Sequence, residues 1–208
     1  MTDELERRLA DAAPPRTLDL DRLRAGLARR AADEGLLDVA YGTYDSPLGP
    51  LTLFVTPRGL VRLSYPGEPV EAQLDEMATL VSPRILEAPD RTDDVRRQLD
   101  GYFAGTRRDF GVPIDWRLLD GFRAEVLRAT ARIPFGATAS YREIATAAGS
   151  ANAYRAAGTA LGRNPIPIVV PCHRVVATGG GMGGYTGGVD RKRYLLALER
   201  GDARLAGA

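Results

Sequence analysis

The sequence predicts an α+β protein in which a small N-terminal domain with an antiparallel sheet precedes a mostly helical C-terminal domain containing a helix-turn-helix. Three observations predict this class. Strand-like segments separated by short turns fill residues 39–65. Helical spacing of apolar residues prevails after residue 121, and two short helical segments within residues 141–161 are separated by a glycine turn. We therefore expect two structural regions of different character.

On this basis the 208 residues divide into a helical extension (1–37), an α/β domain (38–115) and a C-terminal domain (116–208). The extension contains Pro14-Pro15 and a helical leucine spacing further on, which predicts two short helices joined by a loop. The spacing is that of Leu20, Leu23 and Leu27. A partly disordered charged tail is the alternative.

Composition excludes several classes of protein. No apolar run approaches the length of a membrane-spanning helix, and MTDELERRLADAAPP is charged where a signal peptide requires apolar residues, so we expect a cytoplasmic protein without membrane contact. One cysteine and one histidine furnish neither an internal disulfide nor a closed zinc site. We expect no metal and no cofactor.

The charge distribution favours an anionic partner on one surface. Net charge is only +1, but residues 144–189 contain no acidic residue while carrying Arg155, Arg163 and Arg174. Such a surface suits a polyanion.

The α/β domain is predicted from turns and apolar periodicity. Three strands should form an antiparallel meander, followed by a helix, a short strand and a second helix, before the chain crosses to the C-terminal domain near residues 111–116. The predicted elements, in that order, are 39–46, 47–57, 59–65, 70–80, 85–87 and 93–103.

The C-terminal domain is predicted to open with a helix at 121–132 and to end with one at 192–200, whose leucines pack inward. Between them, Ser140 and Glu143 have the spacing of a capping box that starts a helix. After the Gly149-Ser150 turn, Asn152 is a candidate cap for the next helix.

That next helix, AYRAAGTAL at 153–161, is unusual for a recognition helix. Small side chains let its backbone approach a surface but leave few groups to read base identity, which suits shape-based contact with the minor groove. Arg155 is the exception, because a long cation can neutralise a phosphate or fill the gap left by an extruded base. The alternative is an alanine-rich core helix with one exposed arginine.

The single cysteine, Cys172, is followed by the single histidine, His173. An imidazole that takes the thiol proton, directly or through water, makes a cysteine nucleophilic. Neighbouring residues of a strand face opposite ways, so this pairing requires a turn at Pro171-Cys172. The imidazole also needs an acid to orient it, and Glu199 of the last helix is the candidate.

These motifs together resemble the 6-O-methylguanine-DNA methyltransferase family, also called methylated-DNA-protein-cysteine methyltransferases. The stretch PCHRVV matches the family signature, with ASYREIA and AYRAAGTALGRNPIPIVV before it and GGYTGG and YLLALE after it. The resemblance covers about residues 39–201 and implies a ribonuclease H-like N-terminal domain. It implies direct repair of DNA, in which the alkyl group of 6-O-methylguanine is transferred once and irreversibly to the protein after base flipping.

The resemblance also implies roles for individual residues. Cys172 accepts the alkyl group, His173 relays its proton through water, Glu199 orients His173, and Tyr141 helps to turn out the nucleotide and donates a hydrogen bond to the guanine. The residues implied to contact DNA are Tyr141, Ala153, Tyr154, Arg155 and Gly158. Those implied to form or support the substrate pocket are Leu161, Asn164, Pro167, Val175, Tyr185, Thr186 and Lys192.

Tyr154 departs from the family pattern, which usually has a small residue there. The implied partner is double-stranded DNA containing an alkylated guanine, contacted through the minor groove by a monomer. Activity on 4-O-methylthymine, alkyl-size preference and cooperative assembly on DNA stay open. The rival functions are a non-catalytic lesion-binding protein, a thiol hydrolase and a transcription regulator; Cys172 disfavours the first, because such relatives replace the cysteine.

Overall fold

The computed structural model describes residues 20–202, and its N-terminal part combines helices with one sheet. The elements of this part are α1 (Leu20–Asp33), β1 (Val39–Ser46), β2 (Gly49–Thr56), β3 (Gly59–Ser64), α2 (Val70–Leu80), β4 (Ile85–Glu87) and α3 (Asp93–Phe103). The C-terminal part is mostly helical. Its elements are α4 (Gly121–Ala131), β5 (Ala139–Ser140), α5 (Tyr141–Ala147), α6 (Tyr154–Gly162), β6 (Val175–Val176) and α7 (Val189–Arg200).

The sheet has the order β3-β2-β1-β4. The first three strands form the predicted antiparallel meander, and β4 adds to the edge of β1 in the parallel direction. This parallel strand is reached through α2, as a crossover of this kind requires. The fold class is therefore the predicted α+β arrangement, and the parallel strand β4 makes the sheet a mixed one.

Helix α1 is the second of the two helices predicted for the N-terminal extension. It runs through Leu20, Leu23 and Leu27, and these leucines are 56–60% exposed. Ala28 of the same helix is buried instead. The predicted first helix of the extension lies outside the described residues.

The helix-turn-helix forms from α5 and α6, as predicted. Ser140 accepts from the Glu143 amide and the Glu143 carboxylate accepts from the Ser140 amide, so the capping box is complete. The prediction that Asn152 caps α6 is wrong, because Ala153 occupies the cap position and no side chain caps this helix. The short parallel pairing of β5 with β6 joins the start of α5 to the segment after Cys172.

The two parts of the chain share one hydrophobic core, which runs from the sheet to the C-terminal helices. The connecting segment pairs with β3: the Leu60 amide donates to the Pro113 carbonyl and the Asp115 amide donates to the Leu60 carbonyl, both at 2.9 Å. Further along β3, the Leu63 amide donates to Pro165 at 2.8 Å. The sheet is thus hydrogen-bonded directly to the loop that leads into the cysteine segment.

Within residues 20–202, no helix is long and apolar enough to cross a membrane. Over the same range, the acidic, histidine and cysteine side chains form no group of three suited to hold a metal ion.

Gly59 provides a test of the contact between β3 and the connecting segment. A Cβ at Gly59 would lie 2.1 Å from the Pro113 carbonyl oxygen, whereas Gly67 has a similar positive φ and open space around it. Both alanine variants carry the backbone strain, but Gly59→Ala must also displace the connecting segment. We expect Gly59→Ala to lower the free energy of unfolding by about 2 kcal/mol more than Gly67→Ala. Urea denaturation measures both, and equal losses would contradict the contact.

Candidate active site

The segment before Cys172 is a buried, tightly folded loop. Its sequence alternates proline with β-branched residues, and Ile168 has a φ of +73°, a conformation that a β-branched residue rarely adopts. The Val169 amide donates to the Pro167 carbonyl at 2.9 Å, which closes a three-residue turn around Ile168. Such strain persists only where the surroundings determine the backbone.

Asn164 makes several of the hydrogen bonds that hold this backbone in place. Its side-chain amide donates to the Val170 carbonyl at 2.8 Å and to the Cys172 sulfur at 3.2 Å, while its side-chain oxygen accepts from the Ile166 amide at 3.0 Å. One buried side chain therefore fixes the loop at both ends and orients the thiol.

Cys172 begins a turn of 3-10 helix that extends to Arg174. This is the turn that the adjacency of Cys172 and His173 required. Burial raises the pKa of the Cys172 thiol to about 11, against the opposing effects of the Asn164 amide and the Lys192 ammonium group. At neutral pH the sulfur is therefore protonated, and a base must remove its proton before it reacts.

The imidazole of His173 is fully buried, and its Nε2 lies 2.7 Å from Oε1 of Glu199. Burial lowers the pKa of His173 below its usual 6.5, despite the hydrogen bond to the carboxylate. The other ring nitrogen, Nδ1, has no hydrogen-bond partner among the atoms of residues 20–202. Neutral His173 thus donates from Nε2 to Glu199 and keeps Nδ1 as a proton acceptor.

Glu199 lies at the centre of a buried hydrogen-bond cluster. Its carboxylate accepts from His173, from the Arg174 guanidinium at 3.0 Å, from the Gly136 amide at 3.0 Å and from the Tyr102 hydroxyl at 2.7 Å. Burial alone would raise the pKa of Glu199, but the hydrogen bonds from His173 and Arg174 hold it at about 2. The carboxylate is ionised at neutral pH and fixes the histidine tautomer.

A cavity of about 400 Å³ reaches the sulfur from the surface. Its volume lies within the range of about 300–1,000 Å³ typical of small-ligand pockets. The predicted residues that line it together with Cys172 are Tyr141, Gly158, Leu161, Tyr185 and Thr186. Five further predicted site residues thus meet around one opening beside Cys172.

Glycines let the aromatic ring of Tyr141 lie against this opening. A Cβ at Gly183 would lie 2.6 Å from the Tyr141 hydroxyl oxygen, and one at Gly158 would lie 3.7 Å from the ring. The Tyr141 hydroxyl donates to the Gly184 carbonyl at 3.4 Å. Burial raises the pKa of Tyr141, so the phenol keeps its proton at neutral pH.

Other predicted pocket residues lie outside this cavity. Pro167 and Asn164 line a neighbouring cavity between the two domains. The Val175 carbonyl accepts from Nζ of buried Lys192 at 2.6 Å, and the same ammonium group donates to the Met182 carbonyl. Lys192 therefore acts in this structure as a buried brace for the glycine-rich loop.

Two of the predicted DNA-contacting residues, Tyr154 and Arg155, are exposed at the start of α6, whereas Tyr141 and Gly158 line the cavity and Ala153 precedes the helix. The guanidinium carbons of Arg142 and Arg155 lie 5.3 and 5.7 Å from the Tyr154 ring centroid. The aromatic ring at this position therefore contacts two cations.

Three site residues were missed in the sequence. Tyr102 and Tyr65 belong to the N-terminal domain, and their segments, QLDGYFAG and LVRLSYPG, resemble ordinary amphipathic elements. Arg174 lies inside the stretch PCHRVV, and its position next to His173 is the signal that could have identified it as a site residue. The Tyr65 hydroxyl lies 2.7 Å from that of Tyr185.

Comparison with known proteins covers both domains. Residues 39–116 match the model described as "6-O-methylguanine DNA methyltransferase, ribonuclease-like domain", and residues 121–201 match the "6-O-methylguanine DNA methyltransferase, DNA binding domain". The match agrees with the observed sheet domain and helix-turn-helix.

Individual relatives extend this result. The methylated-DNA--protein-cysteine methyltransferase of Mycobacterium tuberculosis is 42% identical over 79% of this chain and 94% of its own length, and that of Methanosarcina barkeri is 36% identical over 79% and 99%. The crystal structure of Mycobacterium tuberculosis OGT in complex with DNA superposes with a TM-score of 0.67 at 40% identity, covering 79% of this chain and 94% of that one. The chain belongs to the 6-O-methylguanine DNA methyltransferase family.

Proposed function

We propose that this protein repairs DNA directly, by transferring the alkyl group of 6-O-methylguanine to its own Cys172 in a single irreversible reaction. One observation carries the proposal: the only cysteine lines a cavity open to the surface, with Asn164 on its sulfur and a His173–Glu199 pair beside it. The names of the relatives and the DNA complex of one of them support the same reaction class.

The transfer follows from the protonation states of the site. His173 takes the Cys172 proton, directly or through water, and the resulting imidazolium is stabilised by the Glu199 carboxylate. The thiolate forms a bond to the alkyl carbon as the bond from that carbon to the guanine oxygen breaks. The electron pair of the broken bond stays with the guanine, which takes up one proton from the Tyr141 hydroxyl. The proton held by His173 then returns to the Tyr141 oxygen, so both side chains end neutral.

The product explains why each molecule acts once. A thioether has no good leaving group and does not hydrolyse readily, so the reaction has no step that regenerates the thiol. Because one chain contains all of these groups, we expect a monomer to be sufficient.

The approach to DNA is proposed from the surface of α6. Its small residues allow close contact with the minor groove, and no acidic residue occurs from 144 to 189. A base stacked in the duplex cannot reach Cys172, so the nucleotide must turn out into the cavity. In this proposal Arg155, which is exposed, fills the vacated position in the duplex. Readout by shape suits an enzyme that must find damage in any sequence.

Intact-mass measurement tests the reaction. Incubation with excess duplex DNA containing 6-O-methylguanine should add one methyl group per molecule, located on Cys172, and then stop. Cys172→Ala should gain no mass while still binding the duplex, because the sulfur is not part of the α6 surface. Methylation of this variant, or continued turnover by wild-type protein, would contradict the proposal.

The role of His173 as base predicts a change in pH dependence. His173→Gln should reduce the transfer rate at pH 7 by a factor of about 10² to 10⁴. Its residual rate should rise with pH up to the thiol pKa of about 11, because the thiol must then ionise without help. The wild-type rate should be nearly constant from about pH 7 to pH 9, since His173 is already neutral there. Intact-mass measurement of samples quenched at timed intervals gives both rates as a function of pH. Parallel pH–rate profiles for the variant and the wild-type protein would contradict the role of His173 as base.

A further inference from the structure

Two neighbouring cavities lie close to Cys172. The cavity of about 400 Å³ beside Cys172 is lined by Tyr185, and one of about 530 Å³ between the domains is lined by Tyr65. Thr186 lines both, so the two spaces are neighbours. We call the Tyr65–Tyr185 pair the partition, because one member lines each cavity and the two side chains are in contact.

The two tyrosines are joined by their hydroxyl groups. The oxygens lie 2.7 Å apart, and the rings meet edge to face with centroids separated by 6.2 Å. Tyr65 directly follows β3, so the partition connects the sheet domain to the loop that forms the pocket wall.

Tyr65 is itself held in place. The Arg191 guanidinium lies 4.9 Å from the centroid of its ring and donates to the Gly187 carbonyl at 2.8 Å. A Cβ at Gly187 would lie 2.5 Å from the Tyr65 ring and 2.9 Å from the Tyr185 ring, so the loop backbone packs closely against both. This close packing leaves neither ring room to move toward the backbone at Gly187.

We propose that the Tyr65–Tyr185 hydrogen bond keeps the partition closed and thereby limits the size of the group that can reach Cys172. On this proposal a methyl group is accepted with Tyr185 in its observed position, whereas a benzyl group enters only when Tyr185 shifts toward the interdomain cavity, which the bond to Tyr65 resists. The statement that the excluded groups are alkyl substituents of guanine rests on the proposed function. The limit on size that the Tyr65–Tyr185 pair sets does not depend on that function.

Alkyl transfer provides the first test. Rates with 6-O-methylguanine and 6-O-benzylguanine in the same duplex are measured for wild-type protein, Tyr65→Phe and Tyr44→Phe. Tyr65→Phe should raise the ratio of benzyl to methyl rates about two- to tenfold, the range expected for loss of one hydrogen bond. Tyr44→Phe is the matched control, because it removes a phenol that donates to Asp100 at 2.8 Å in the same domain, and its ratio should equal that of wild type.

A second test is independent of the repair reaction. Because Cys172 is the only cysteine, methyl and benzyl methanethiosulfonate label one position, and their rate ratio reports the space around its sulfur. Tyr65→Phe should raise the benzyl-to-methyl labelling ratio, and Tyr65→Leu, which also removes the ring, should raise it further. Unchanged labelling ratios in folded Tyr65 variants would overturn the inference. A raised labelling ratio without alkyl transfer would sustain the inference and overturn the proposed function instead.

Discussion

The buried Glu199 carboxylate is the interaction on which the site depends. An ionised carboxyl group without partners is costly in a protein interior. Here donors from three separate segments, Tyr102, Gly136 and the adjacent pair His173-Arg174, offset that cost for a carboxylate of α7. Because the pKa of Glu199 falls to about 2, this contribution to stability is complete above the ordinary carboxyl pKa of 4.5 and is lost as pH falls toward 2. The same charge that stabilises the arrangement of segments sets the tautomer of His173.

Burial shifts the pKa values of Cys172 and His173 in opposite directions. It raises the thiol pKa of Cys172 and lowers the pKa of His173, so the resting site holds a neutral thiol and a neutral imidazole. Oxidation of cysteine follows thiolate character and exposure, and this sulfur is low in both.

Local signals were sufficient to predict most elements and the centre of the site. The helices at 70–80 and 93–103 begin and end as predicted, because apolar periodicity and nearby turns define them, and the capping box at Ser140 defines α5. Local signals were not always decisive even over short distances, because Asn152 could cap α6 by composition but Ala153 occupies the cap position. They also failed where partners are distant in sequence. No local pattern relates Tyr102 to a carboxylate 97 residues away.

The placement of the missed tyrosines gives the N-terminal domain a specific part in the site. Two of its tyrosines contact the residues around Cys172: Tyr102 donates to Glu199, and the Tyr65 hydroxyl lies 2.7 Å from that of Tyr185. Both come from segments fixed by the sheet or by packing on it, and β3 also bonds to the loop before Cys172 through Pro165. The His173–Glu199 pair and the cavity wall at Tyr185 therefore both depend on one continuous core, and the sheet domain helps to hold them in position relative to each other.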